Sequence, residues 1–214
     1  MQIQIANKEV LIEIAKCHQK AFPKSLLSNL GINSLAKVFE WYLTNERGII
    51  YYLKDSENNI KGYFCGIITT EQNLIGANSS TFNYAKFTLT KSFLKKPWLL
   101  FHPEILSKIR NLLAYSFINF LKVIHKKRIK KLDQDNFNFI PFVGLVIIGV
   151  KEKGLGYGSF LLKEFENISR KIPMVKKLQL SVKAENRRAI KAYLSNGWTI
   201  EKSEKKYFKL YKIL

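Results

Sequence analysis

Cysteine is nearly absent: Cys17 and Cys65 are the only two among 214 residues, and they have no paired spacing. That excludes a disulfide framework and a thiolate metal site, and it fits a reducing compartment. The three histidines, His18, His102 and His125, lack metal-ligand spacing and read as helix-surface or partly buried side chains. No internal repeat or low-complexity tract occurs. Glu9 and Glu13 interrupt the apolar residues of the first 22 positions, so no secretion signal is expected there. Acid is scarce too, with 16 Asp and Glu against 36 Lys and Arg, a formal charge of +20. This balance bears on partners and solubility, and it disfavours polycationic substrates.

What is present suits one sizeable core, since 47% of residues are hydrophobic and 13% aromatic. The basic excess has an address: residues 91–131 hold eleven Lys and Arg and one acid, Glu104, a local charge of +10. Apolar residues over 10–22 and 35–43 recur at three- and four-residue steps, which predicts two helices with one buried face each. Segments 49–54 and 61–69 flank Asp55-Ser56-Glu57-Asn58-Asn59 in the manner of a β-hairpin. Ile105, Ile109, Leu112, Leu113, Phe117, Phe120, Leu121 and Ile124 fall on one stripe and predict a long amphipathic helix. Charges interrupt that helix too often for a membrane span, which wants about 20 apolar residues.

Residues 139–150 are almost wholly apolar with Pro141 near their start, which predicts a central strand buried on both faces. A helix over 157–171, a strand over 178–182, a helix over 186–196 ended by Gly197, and strands over 198–201 and 207–213 complete the pattern.

Two stretches carry chemistry. Lys153-Gly154-Leu155-Gly156-Tyr157-Gly158-Ser159 joins the central strand to its helix. Glycines there let backbone N–H groups turn inward, and the helix start offers unpaired donors and a positive dipole end. A pyrophosphate would rest on such a turn without any catalytic side chain. The spacing fails both the P-loop and the dinucleotide fingerprint, and a plain strand-to-helix turn is the alternative. Farther on, Asn186 and Tyr193 lie seven apart, so two helical turns bring them to one face. Taken singly, Asn186 reads as a helix cap and Tyr193 as a packed tyrosine.

Together, Lys153-Gly154-Leu155-Gly156-Tyr157-Gly158 and the series Asn186, Ala189, Tyr193, Gly197, Trp198 resemble the two motifs of the GNAT superfamily of N-acetyltransferases. Lys153 stands where that family usually has Gln or Arg, and Trp198 where it has Phe. Lysine keeps the charge and loses the planar fork. The resemblance covers residues 139–214, is topological over 1–70 and fails over 71–136. It implies an α/β fold, a mixed twisted sheet of six or seven strands flanked by helices, as one domain over 1–214 with 71–136 a basic helical insert.

The activity implied is transfer of an acetyl group from acetyl-CoA to a primary amine. The pantetheine arm would pair with the backbone of Ile148 and Val150 where strands splay, and the pyrophosphate would lie on the turn from Lys153 through Gly154, Leu155, Gly156, Tyr157 and Gly158 to Ser159. Asn186 would hydrogen-bond the arm, and Tyr193 is the candidate acid for the departing thiolate. No general base is visible, since Glu71, His102, His125 and Asp135 lie in or beside the insert. His18-Gln19-Lys20-Ala21-Phe22-Pro23 with Leu30-Gly31 also resembles acetyltransferases of amino sugars for bacterial surface polysaccharides. The basic surface favours a nucleotide-linked or lipid-linked, phosphate-bearing sugar as that acceptor, in the cytoplasm, with the inner membrane face as a further location. The basic tract over 122–131 reads first as a solvated face, second as a match for an anionic membrane, and third as a nucleic-acid surface, for it lacks interleaved aromatics. A non-catalytic basic module, and an enzyme using a longer acyl donor or an alcohol acceptor, are the rival readings.

Overall fold

The computed structural model describes residues 1–71, 77–107, 139–204 and 206–214. In chain order the elements are β1 (Gln2–Ile5), α1 (Leu11–Ala21), α2 (Leu26–Leu30), α3 (Ile32–Thr44), β2 (Gly48–Lys54), β3 (Ile60–Thr69), α4 (Ala77–Lys95), a 3-10 helix (Pro97–Phe101), β4 (Phe142–Val150), α5 (Tyr157–Arg170), β5 (Lys177–Lys183), α6 (Arg187–Ser195), β6 (Thr199–Ser203) and β7 (Tyr207–Ile213). The seven strands form one sheet in the order β1-β2-β3-β4-β5-β7-β6. Among the described residues only the β4–β5 pair is parallel.

Local chemistry explains the hairpin. Asp55 Oδ1 accepts from the N–H of Glu57 at 3.0 Å and of Asn59 at 2.9 Å, and Asn58 takes the left-handed conformation that asparagine tolerates. Strand alternation then sorts apolar residues into two layers. Tyr63, Cys65 and Ile67 of β3 join Ile14, Cys17, Leu35 and Phe39 under α1 and α3. Phe64 instead joins Leu161, Phe165, Leu178 and Leu210 under α5 on the opposite face. Fully burying one such side chain stabilises the fold by about 1.5–3 kcal/mol.

Several expectations need correction. β1 and α2 were not predicted, being only four and five residues long, and α4 falls within the expected helical insert although no helix was delimited over those residues. α4 is apolar on two faces, so it lacks a single stripe. Its Ala85 and Leu89 pack inward, and Ser34 Oγ meets Ser92 Oγ at 2.6 Å to tie α3 to α4. Residues 103–107 are helical, and the remainder of the helix expected over 105–124 lies outside the described residues, as does the tract 122–131. β4 starts at Phe142, after Pro141, and is not buried on both faces throughout. Val143 and Leu145 are buried whereas 146–148 are only half-buried, because the sheet opens beside them.

Candidate active site

β4 pairs with β5 over Phe142–Leu145 alone, opposite Lys177–Leu180. Beyond that point β5 stays with β7 as far as Lys183, and the two parallel strands part. A bulge lies at the fork: the β3 register steps from Cys65 opposite Ile147 to Gly66 opposite Leu145, which makes Val146 an extra residue. The bulge also inverts the alternation. Val143 and Leu145 before it, and Ile148 and Val150 after it, all pack in the α5 layer, while Val146 and Ile147 pack against the α1–α3 layer.

The main chain follows the same logic. Lys151 N donates to Lys61 O at 2.9 Å, so alternation directs the backbone groups of Gly149 toward β3 and those of Ile148 and Val150 toward the side that β5 has left. Gly149 carries no side chain for a steric reason: a Cβ there would lie 2.8 Å from Tyr63 Cε1 and 3.0 Å from Phe22 Cε2.

The turn after β4 completes the concavity. Gly154 and Gly156 have φ values of +92° and +80°, and a Cβ built on Gly154, Gly156 or Gly158 would meet nothing within 4 Å. Gly156 caps α5 without any side-chain hydrogen bond. The first N–H groups of α5 are therefore open donors at the positive end of the helix dipole. Opposite them stands α6, whose Asn186 Oδ1 accepts from Ala189 N at 3.2 Å. That cap occupies the carbonyl and leaves the Asn186 amide N–H₂ available. Asn196 Nδ2 lies 3.4 Å from Ser159 Oγ and links the two helices across the site.

These pieces enclose one cleft of about 540 Å³, within the range of ligand sites. Ile148, Val150, Lys153, Gly154, Gly156, Tyr157, Gly158, Ser159, Asn186 and Tyr193 all line it. Leu155 is the exception among the predicted residues. Its side chain, between two left-handed glycines, is 56% exposed and turned away from the cleft. Sequence reasoning missed Phe22 and Arg188, which also line the cleft. Neither Lys153 nor Arg188 has an acidic partner among the described residues, so two uncompensated cations face the opening. Glu152, at the rim, is held by Lys61 at 3.2 Å.

Tyr193 is 8% exposed, and burial pushes its hydroxyl up to about 12. It is fully protonated at neutral pH and has no hydrogen-bond partner among the described residues, so it can donate to a group placed in the cleft.

Behind Gly149 lies a second polar group that was not anticipated as a pair. His18 Nδ1 is hydrogen-bonded to Tyr63 Oη, and His18 Nε2 lies 3.4 Å from Ser25 Oγ. Ser25 Oγ donates to Ser28 Oγ at 2.9 Å, and Ser28 Oγ to Phe22 O at 2.7 Å. With the Ser25 proton so used, Nε2 carries the imidazole hydrogen and Nδ1 accepts from Tyr63. Burial pushes His18 down to about 4, so it is neutral at pH 7. A separation of 45 residues hides this pair from any sequence pattern. His102 lies elsewhere, its Nε2 at 3.2 Å from Lys24 O.

No protein-family model matches the chain, and no curated protein matches it. Solved structures do. An acetyltransferase of the GNAT family from Streptococcus pneumoniae is similar at 12% identity and a TM-score of 0.54, covering 100% of this chain and 99% of that one. A chimera of the Vibrio cholerae spermidine N-acetyltransferase SpeG with hSSAT is similar at 13% identity and a TM-score of 0.55, covering 100% and 96%. Naa20 of Chaetomium thermophilum, in complex with a bisubstrate analogue, is similar at 12% identity and a TM-score of 0.54, covering 100% and 87%. At these identities the likeness carries the fold: this chain has the GNAT fold, a mixed α/β arrangement with a seven-stranded sheet flanked by helices.

Proposed function

We propose that this protein is an N-acetyltransferase that moves an acetyl group from acetyl-CoA to a primary amine. The observation that carries the reading is the cleft in which the strand fork, the glycine turn and Tyr193 converge. The donor set suits the cosubstrate. Open N–H groups at the start of α5, with Lys153 and Arg188, would hold the pyrophosphate. The outward backbone groups of Ile148 and Val150 would pair with the amides of the pantetheine arm, and the Asn186 amide would donate to it. The space that a Cβ would fill at Gly154, Gly156 and Gly158 supports this fit.

When bound, acetyl-CoA supplies the thioester, an acyl carbon open to amine attack and a thiolate leaving group. The chain supplies position and one donor. Tyr193 holds its proton on Oη beside the fork. Complete transfer from a hydroxyl near 12 to a thiolate whose thiol pKa is about 8.5 is uphill. Tyr193 therefore acts mainly by donating a hydrogen bond to developing charge at sulfur. The proposal takes 1–214 as one domain in which 71–136 is an insertion.

The acceptor we propose is an amine on a phosphate-bearing, nucleotide-linked or lipid-linked sugar in the cytoplasm, which the charge of +20 supports and which would repel polycations. Calorimetry with acetyl-CoA, CoA and adenosine 3′,5′-bisphosphate, followed by thiol release across a panel of amines, tests the reading. Acetyl-CoA binding with release of free CoA on one class of amine is expected. Equal affinity for acetyl-CoA and the bisphosphate, with no turnover, would reduce the cleft to a bare anion site.

A further inference from the structure

α4 is a surface helix with apolar side chains on two faces. Thr81, Ala85 and Leu89 pack inward, whereas Phe87 and Leu94 point away from the body at 80% and 78% exposure. The 3-10 helix that follows exposes three more apolar side chains, Trp98, Leu100 and Phe101, at 62%, 52% and 75%. Leu94 near the end of α4 and Trp98 and Phe101 of the 3-10 helix lie on either side of the break at Lys96, and all three are exposed. The three aromatic rings alone present about 400 Å² of accessible surface, as much as the largest apolar patch on a typical monomer.

The charges around this patch choose between occupants. Lys86, Lys91 and Lys95 are exposed on α4, and residues 77–101 contain no Asp or Glu. Lys86 Nζ sits 5.2 Å from the Phe87 ring centroid. The core of a protein interface is depleted in lysine, because burying an ammonium without a carboxylate is costly. A bilayer surface imposes no such penalty. There, aromatic and leucine side chains enter the acyl boundary while lysines lie along them and keep their ammonium groups among the phosphates. Among the described residues no helix is long and apolar enough to cross a membrane.

We infer that the outer face of α4 and the 3-10 helix, centred on Phe87, Leu94, Trp98 and Phe101, docks this protein on an anionic phospholipid surface. Each lysine near such a surface raises affinity about fivefold, so the three together contribute on the order of a hundredfold.

The chain contains its own reporter. Its three tryptophans are Trp41, Trp98 and Trp198, and Trp41 and Trp198 are 4% and 2% exposed. Only Trp98 is free to change environment. Vesicles of phosphatidylcholine with 30% phosphatidylglycerol should shift the emission to the blue, and lipids brominated near the headgroup should quench it. Neutral phosphatidylcholine vesicles, or 0.5 M salt, should weaken binding at least tenfold. Trp98→Ala/Phe101→Ala should lose at least another tenfold in flotation with anionic vesicles while keeping native circular dichroism, since both side chains are exposed. Lys86→Gln/Lys91→Gln/Lys95→Gln should abolish the preference for anionic lipid. Vesicle binding reads the surface without any acetyl transfer, so it can fail while the cleft binds acetyl-CoA, and the reverse. Absence of vesicle binding would overturn the inference; a dimer in sedimentation that Trp98→Ala/Phe101→Ala dissolves would overturn it too and assign the face to a second copy of the chain.

Discussion

Replacing Gly158 by alanine should move stability and ligand affinity in opposite directions. Gly158 is the second residue of α5, its φ is not in the left-handed region, and the new Cβ would meet nothing within 4 Å. Folding therefore gains. Alanine is better than glycine inside a helix by about 0.8–1 kcal/mol, somewhat less in the first turn, which for a chain of this length raises Tm by about 2–4 °C. Binding loses, because that methyl projects into the cleft where a phosphate must approach the main chain closely. Each charge-assisted hydrogen bond forfeited is worth about 1.5–3 kcal/mol, so CoA affinity should fall between about tenfold and a hundredfold. Gly156→Ala is the instructive contrast. At φ +80° the alanine would itself cost about 1–2 kcal/mol, so lost affinity there would be confounded with a weakened fold. Thermal unfolding and calorimetry with CoA on the same Gly158→Ala sample settle the matter. A raised Tm with unchanged CoA affinity would show that the anion does not lie on this turn.

Tyr193→Phe should lower turnover about tenfold to a hundredfold and leave the Kd for acetyl-CoA within twofold, since the lost donor serves the departing sulfur; wild-type turnover would reject that role. Because the Tyr193 hydroxyl is raised to about 12, no fall in rate up to pH 10 should trace to its ionisation, and the wild-type-to-Phe ratio of kcat should be flat from pH 7 to 10. His18 is lowered from 6.5 to about 4, so below pH 6.5 the unfolded chain binds the extra proton and stability falls with pH, by about 3 kcal/mol once pH passes 4. Urea midpoints at pH 7 and 5 should show this loss in the wild type and a smaller one in His18→Gln. Gly149→Ala should destabilise by about 1–3 kcal/mol through collision with Tyr63 and Phe22, and a variant as stable as wild type would mean that the Tyr63 ring yields.

What was legible in the sequence and what was not divide along a physical line. The glycine turn and the Asn186–Tyr193 series are local: backbone conformation and helical period translate spacing directly into a shared face. Hence nearly every residue proposed for the site lines the cleft. The hairpin at Asp55 was legible for the same reason, as side-chain hydrogen bonds within four residues dictate it. Leu155 shows the limit of a contiguous motif, since a run of adjacent residues cannot all point one way. β1 and α2 were too short to establish any period, and α4 was not delimited within the expected helical insert because two apolar faces cancel a single stripe.

The fork was expected only through the family resemblance, and the bulge that sets it was illegible because it is a property of register between distant strands. Val146 looks like any other valine in an apolar run, yet as the bulged residue it reverses which neighbours face α5. Without it, Ile147 and Gly149 would face that layer, and the backbone groups now offered to the open side by Ile148 and Val150 would exchange places with those turned to β3. The glycine at 149 follows from the same step. Once the bulge directs that position toward α1, Tyr63 already occupies the space, and Tyr63 is held there by His18, 45 positions earlier. The cleft is thus set by a bulge on β4, a missing Cβ beside it and a buried histidine–tyrosine pair behind it. None of the three has a side chain on the cleft surface, so a search for chemistry-bearing residues passes over the groups that give the site its shape.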